Sequence, residues 1–401
     1  MEGRMSKETR DNFIWTILII AVAVYGVACF CLHLNQIVKV DGLYFESDLP
    51  AHISMALEDD WFYSLMGLLI KVFYATGAGA YLTAGFIAIC EVGAVFATLL
   101  LVNELTDKYY TKSMGLMFAL MANLIMPFYV EFAGKQRYIG YQSASVWHNS
   151  TYTLVKLLGI LTLWYFLKLR DKYLDGLKVS EWLIFAGLLI LCNAAKPSFC
   201  FVFDFAMLVI LIYDLCKKDE RERLDRFKKI IIFGCSVLPS LVVIWWQNNV
   251  LFGQETGNGI TINPGYALAM RGDHPKVTFI LSIAFPLFIL VWNFGDLKWD
   301  KRLRFMWLMW IFSFLEVFLL AEEGARALDS NFFWGYSIGI FFVNLISMIK
   351  LIENMKRKEG IYESSILRAV ITSCGTLILA YQVYCGIYFF INLVMGVTYW
   401  M

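Results

Sequence analysis

The sequence predicts an all-α polytopic membrane protein of about eleven transmembrane helices, and three observations carry that expectation. Of 401 residues, 59% are hydrophobic and only 17% charged, outside the soluble globular range. The apolar residues gather into runs near the length that crosses about 30 Å of hydrocarbon at about 1.5 Å per residue. Lys and Arg then fall on alternate loops: 25 of the 34 lie before Phe13 or in the stretches Glu104 to Ser113, Lys168 to Lys178, Cys216 to Lys229, Lys298 to Arg304 and Lys350 to Arg368. That bias places these loops, and the N-terminus, on the inner side. The opposite loops carry Glu46, Asp48, His52, His148, Arg271, His274, Glu322, Glu323 and Arg326, so any chemistry belongs to the outer face.

The first run, 12–34, is followed by nothing resembling a signal-peptidase site and reads as an uncleaved anchor. Residues 35–79 form the longest outer loop, with two interfacial helices. The first begins at SDLPAHISMALED, where Ser47 or Asp48 can cap, Pro50 suits the first turn, and Ile53, Ala56 and Leu57 make an apolar stripe. The second covers 61–76, interrupted by Lys71; a full crossing there would invert every later loop, so it is expected on the outer surface. Spans at 80–103, 114–132 and 151–168 come next. A tight outer turn at Lys196 and Pro197 joins 181–196 to 198–215. The last spans are 230–250, 277–294, 305–321, 332–350 and 369–393, which leave the C-terminus outside. With no internal repeat or soluble region, 1–401 is one transmembrane domain.

Composition excludes several functions. A net charge of +1 argues against a nucleic-acid partner. The inner stretch Lys217 to Lys229 alternates sign and suits lipid headgroups better than a ligand. Nine cysteines, odd in number and mostly inside apolar runs, without CxxC or a His at ligand spacing, speak against zinc or a disulfide framework. Asn149, Ser150 and Thr151 match an N-glycosylation pattern but abut the next span.

Glu46 and Asp48 stand two positions apart before a helix at the outer end of the first span. Such carboxylates can act as a general base toward a hydroxyl or hold a divalent cation, Mg or Mn, through oxygen; Asp48 is equally an ordinary N-cap. Lys196 and Arg326 put cations at the outer interface, where phosphate is a natural partner. Lys196 can otherwise snorkel from a helix end, and Arg326 can pair with Glu322 or Glu323. In Lys135 to Tyr152, Lys135 and Arg137 are cations, Tyr138, Tyr141 and Trp147 offer flat faces for sugar rings, and His148 and Asn149 can bond hydroxyls. Arg271, Asp273 and His274 read as loop surface. Glu91, Lys156, Asp204 and Glu316 are charged within spans; helix-holding ion pairs explain them as well as function does.

The acidic pattern Glu46-Ser47-Asp48, together with this topology, resembles the C-type (GT-C) integral-membrane glycosyltransferases. WHNST (Trp147 to Thr151), AKPSF (Ala195 to Phe199) and EEGARALDSNFFWG (Glu322 to Gly335) look like segments of poorly characterised bacterial membrane proteins near that group. The resemblance implies a polyprenyl-phosphate-linked sugar donor, a glycan or lipid acceptor and catalysis at Asp48 with Glu46. It implies donor-phosphate contacts at Arg326, Lys196 and Arg137, and sugar or acceptor contacts at His52, Trp147, His148, Asn149, Glu322, Glu323 and Asn331. It also implies a plasma-membrane location and cell-envelope glycan assembly. Many such enzymes end in a soluble outer domain; without one, acceptor recognition falls to the outer loops or a partner membrane protein. Two alternatives stay open: a polymerase or ligase of undecaprenyl-diphosphate-linked oligosaccharides, and a lipid or solute transporter.

Overall fold

The computed structural model describes the chain except residues 1–5, 40–43, 59–61, 107–109, 218–222, 253–258, 273, 325–326, 328 and 330, and except the side chains of 251 and 252. α1 (Lys7–Val38) opens where Ser6 Oγ accepts from the Thr9 N–H at 3.1 Å. Two short helices, α2 (Leu49–Glu58) and α3 (Leu65–Ala75), occupy the 35–79 segment before α4 (Gly79–Leu105). Then come α5 (Lys112–Leu124), α6 (Ser150–Arg170), α7 (Val179–Ala195), α8 (Ser198–Cys216), α9 (Arg223–Gly234) and α10 (Leu238–Phe252). A short strand β1 (Ile260–Ile262) and the single turn α11 (Tyr266–Ala269) lead to α12 (Pro275–Ser282), α13 (Ala284–Asn293) and α14 (Lys301–Leu319). Strand β2 (Leu320–Glu322), α15 (Phe333–Lys356) and α16 (Ser365–Val394) complete the order.

Each expected apolar run thus holds helix. Among the described residues seven stretches are long and apolar enough to cross a membrane: α1, α4, α6, α8, α9 with α10, α15 and α16. α12 with α13 makes an eighth, bent by 66°. The chain is a helical multi-pass membrane protein. α7, with 17 residues, is a shorter apolar helix. The run expected at 114–132 stops being helical at Leu124, and Ile125 turns extended at ψ 136°. Pro127 bars continuation of the helix, because Met126 before it is pushed out of the helical region and the proline itself has no N–H to donate. Residues 125–149 run on as irregular chain, exposed at Phe132 and buried over most of 141–149.

Gln382 on α16 repairs two of these breaks. Its Nε2 donates to the Met126 carbonyl at 3.0 Å, and the Met126 N–H donates to the Gln382 carbonyl at 3.2 Å. Its Oε1 accepts from the Phe285 N–H at 3.1 Å, just past the bend between α12 and α13. Backbone groups without water need such partners. Gly386, one turn on, permits the approach: a Cβ there would lie 1.6 Å from the Leu124 carbonyl oxygen.

Phe166 of α6 centres the core, with ring centroids of Phe203 and Phe305 at 5.1 Å, Phe233 at 6.0 Å and Phe185 at 6.1 Å. Those rings interlock α6, α7, α8, α9 and α14. α15 is buried on nearly every side, as expected of a helix that is apolar all round. β1 and β2 pair antiparallel, Thr261 opposite Ala321; three-residue strands leave no periodicity to read in the sequence.

The Lys350 end of α15 gathers residues from the Lys- and Arg-rich loops. Lys350 Nζ meets Glu353 at 2.9 Å, Asp296 at 3.1 Å and Asp300 at 3.3 Å. Arg357 pairs with Asp296 at 2.9 Å, and Arg302 with Asp300 and Glu353 at 3.1 Å each. Asp300 also caps α14 by accepting from the N–H groups of Arg302 and Leu303. α15 has 24 residues, about 36 Å of helix, and the candidate site lies at its opposite end.

Candidate active site

The site is built around the start of α6. Ser47 Oγ accepts from the Leu49 N–H at 2.9 Å, so of the two candidate caps Ser47 serves the backbone of α2. The Asp48 carboxylate turns elsewhere: its Oδ2 accepts from Asn149 Nδ2 at 2.7 Å, while the Asp48 N–H donates to the His148 carbonyl at 3.0 Å. Asn149 caps α6, its Oδ1 accepting from the Tyr152 N–H at 2.9 Å and from Thr151 Oγ1 at 2.8 Å. Lys196 Nζ donates to Thr151 Oγ1 at 3.2 Å. An unbroken hydrogen-bond chain therefore runs from the Lys196 ammonium through Thr151 and Asn149 to Asp48. The tight turn between α7 and α8 supplies the lysine. The tripeptide that reads as a glycosylation pattern is buried, with Asn149 and Thr151 spent on this chain.

Two imidazoles flank it. His52 Nδ1 lies 2.8 Å from Ser150 Oγ. Burial lowers the His52 pKa to about 4, with Asp48 pulling it up and Lys196 and His148 pushing it down. His148 is 6% exposed. Its pKa is lowered as well, first by burial and further by Arg271, against the pull of Asp48 and Glu46. Both rings are therefore neutral near pH 7 and can accept or donate a proton through one nitrogen each. Around His148 stand Tyr399, stacked at 4.4 Å, Tyr138, edge-on at 4.9 Å, and Trp334 at 5.9 Å. Trp334 also lies under Lys196 Nζ, 5.1 Å from the ring centroid.

Trp334 joins the third acidic group to the site. Its Nε1 donates to Asn331 Oδ1 at 3.3 Å, and Asn331 Nδ2 donates to Glu322 at 3.0 Å. Glu322 is buried at the end of β2. Glu323 is exposed, its N–H donating to the Gly259 carbonyl. Glu46 accepts from Thr398 Oγ1 at 2.8 Å. The structure thus brings together Glu46, Asp48, His52, His148, Asn149, Lys196, Asn331 and Glu322 from four separated stretches of sequence.

Other expected site residues are engaged differently. Trp147 is 1% exposed; its Nε1 donates to Tyr25 OH at 3.0 Å and its ring packs on Phe389 and Phe390. Tyr25 OH in turn donates to Glu91, which also accepts from Thr153. Trp147 is a core residue here, with no ring face for a sugar. The Arg137 guanidinium is sandwiched between Tyr129 at 4.2 Å and Tyr388 at 4.5 Å. Arg326 and Asp273 lie outside the described residues.

Sequence reasoning undervalued Arg271. Its charge acts on His148, Tyr138 and Tyr399, and its guanidinium lies over Phe333, 5.5 Å from the centroid, and donates to the Asp329 carbonyl. The backbone crossing that brings it there needs Gly140, at φ 89°, where a Cβ would stand 2.9 Å from the Arg271 carbonyl oxygen. Two glycines in loops far apart in sequence, Gly140 and Gly272, were the signal the sequence offered. Tyr399 and Trp334 carried none, since interfacial aromatics are common. Among the described residues no three His, Cys, Asp or Glu side chains form a group that could hold a metal ion. The chain matches no protein-family model and no curated protein.

Proposed function

We propose that this chain is a GT-C-type glycosyltransferase that moves a sugar from a polyprenyl-phosphate donor to a hydroxyl acceptor on the extracytoplasmic face of the plasma membrane, in assembly of a cell-surface glycan or glycolipid. In this reading the eleven apolar runs cross the bilayer with the N-terminus inside and the C-terminus outside. α2 and α3 then lie in the outer interface. The observation that carries the proposal is the hydrogen-bond chain from Lys196 to Asp48. It ties a cation to a carboxylate across neutral groups, the spacing a reaction needs when one end takes up a proton and the other meets a departing phosphate.

Asp48 takes the proton from the acceptor hydroxyl as the oxygen attacks the anomeric carbon, and Glu46 orients that hydroxyl. The departing phosphate gathers negative charge, which Lys196, with Arg271 and Arg326 from neighbouring outer loops, stabilises most in the transition state. His52 and His148, neutral, bond sugar hydroxyls with Asn331 and Glu322. Direct displacement inverts the anomeric centre. If a divalent cation, Mg or Mn, takes part, Glu46 and Asp48 are its ligands. The acceptor is recognised by the outer loops or by a partner membrane protein.

The test is transfer by purified protein in lipid nanodiscs, offered polyprenyl-monophosphate and polyprenyl-diphosphate donors with several hexoses. The proposal expects turnover of a monophosphate donor and a loss of about 10²- to 10⁴-fold in Asp48→Asn. Turnover of diphosphate-linked oligosaccharides alone would shift the assignment to a polymerase or ligase. Full-rate transfer by Asp48→Asn would remove Asp48 as the base.

A further inference from the structure

The segment after α16 folds back over the candidate site. Gly396, at φ 92°, turns the chain, and its carbonyl accepts from the Phe45 N–H at 3.4 Å. Phe45 has φ 56°, the left-handed region that bulky residues avoid, so the first loop is bent at the point where the two segments touch. Thr398 Oγ1 then donates to Glu46 Oε2 at 2.8 Å. Tyr399 stacks on His148 with 4.4 Å between centroids and 10° between planes. The Arg137 N–H donates to the Met401 backbone oxygen, at 2.6 Å. Residues 45, 46, 137 and 148 are all covered by one short piece of chain.

Two of these contacts have the form of substrate contacts. A hydroxyl donating to Glu46 is the arrangement an acceptor alcohol would adopt, and a flat ring stacked on His148 lies where a sugar ring would. We propose that segment 396–401 is a displaceable plug of the site, holding Glu46 and His148 in the place of the acceptor until the acceptor competes it away. What the plug excludes rests on the glycosyltransferase reading; that it covers His148 does not.

The experiment is acylation of His148 by diethyl pyrocarbonate, followed by mass spectrometry on the full chain in nanodiscs, in the wild type, Tyr399→Ala and Thr398→Val. Labelling of a covered group follows the population of its open form. Losing the ring stack should speed His148 labelling about tenfold, and losing the hydroxyl about three- to tenfold. His33, buried in α1, should stay slow in all three and shows that the fold is intact. Unchanged His148 labelling in both variants overturns the plug.

A second measurement asks whether the plug competes with substrate. With an alkyl glycoside as acceptor probe, Tyr399→Ala should lower the acceptor KM by about tenfold at constant kcat, because less of the protein is closed. A raised KM in both variants would mean that the segment binds the acceptor, and overturns displacement. Faster labelling with no sugar transfer by any protein keeps the plug and discards the glycosyltransferase reading.

Discussion

The two ends of α15 handle charge in opposite ways. At the Lys350 end, three carboxylates (Asp296, Asp300, Glu353) and three cations (Arg302, Lys350, Arg357) meet in direct pairs no longer than 3.3 Å. At the Trp334 end, Asn149 and Thr151 link Asp48 to Lys196, and Lys196 also lies over a ring. Directly paired buried charges have already spent their attraction on each other and hold helices in register. Charges separated by neutral polar groups keep field to offer a ligand. The first end clamps helices through direct pairs, whereas the second links its charges through neutral groups.

The sharpest way to break this contrast is to remove one cation at each end. Lys350→Met leaves three carboxylates, Asp296, Asp300 and Glu353, with only the cations Arg357 and Arg302 around a buried gap and should cost about 3–5 kcal/mol, seen as a large fall in the thermal midpoint in detergent. Lys196→Met should leave that midpoint nearly unchanged while suppressing the proposed sugar transfer. Equal destabilisation by both would erase the distinction.

A smaller effect separates the ends by pH. An unfolded imidazole protonates near 6.5, whereas His52 in the fold does so only at about 4. Its folded pKa is the lower one, so the protein is at full stability above 6.5 and loses it as pH falls from 6.5 toward 4. The loss is roughly 2–3 kcal/mol for a largely buried group. His52→Gln should flatten the fall of the thermal midpoint across that window; a slope identical to wild type would assign the acid sensitivity elsewhere.

The smallest expected effect concerns Trp334, which ties Glu322 and Asn331 to the rest. Trp334→Phe loses the bond to Asn331 and weakens the contact with Lys196, for about 0.5–1.5 kcal/mol. The thermal midpoint should move slightly and donor affinity more. A change in neither would make Trp334 a bystander.

Helix positions were readable because apolar runs and loop charge are long-range averages that single residues do not upset. Pro127 shows where that averaging fails: one ring closure ends α5 while the apolar run continues. The meeting of Asp48, His148 and Lys196 was legible because alternation assigned their loops to one face. Arg271 and Tyr399 were not, since their places depend on a glycine crossing and a folded-back segment that leave no period in the sequence. Trp147 is the converse case. An aromatic beside a candidate site reads as a sugar platform, yet its N–H needed a buried partner and found one in Tyr25, which turned the ring inward.

Gln382 bears on how such a molecule can move. Because one amide spans the unwound chain after α5 and the elbow between α12 and α13, those three pieces and α16 are riveted as a single body. Parting them would bare peptide groups to hydrocarbon, at several kcal/mol for each group. Any opening of the protein must therefore lie on another side and swing on different hinges.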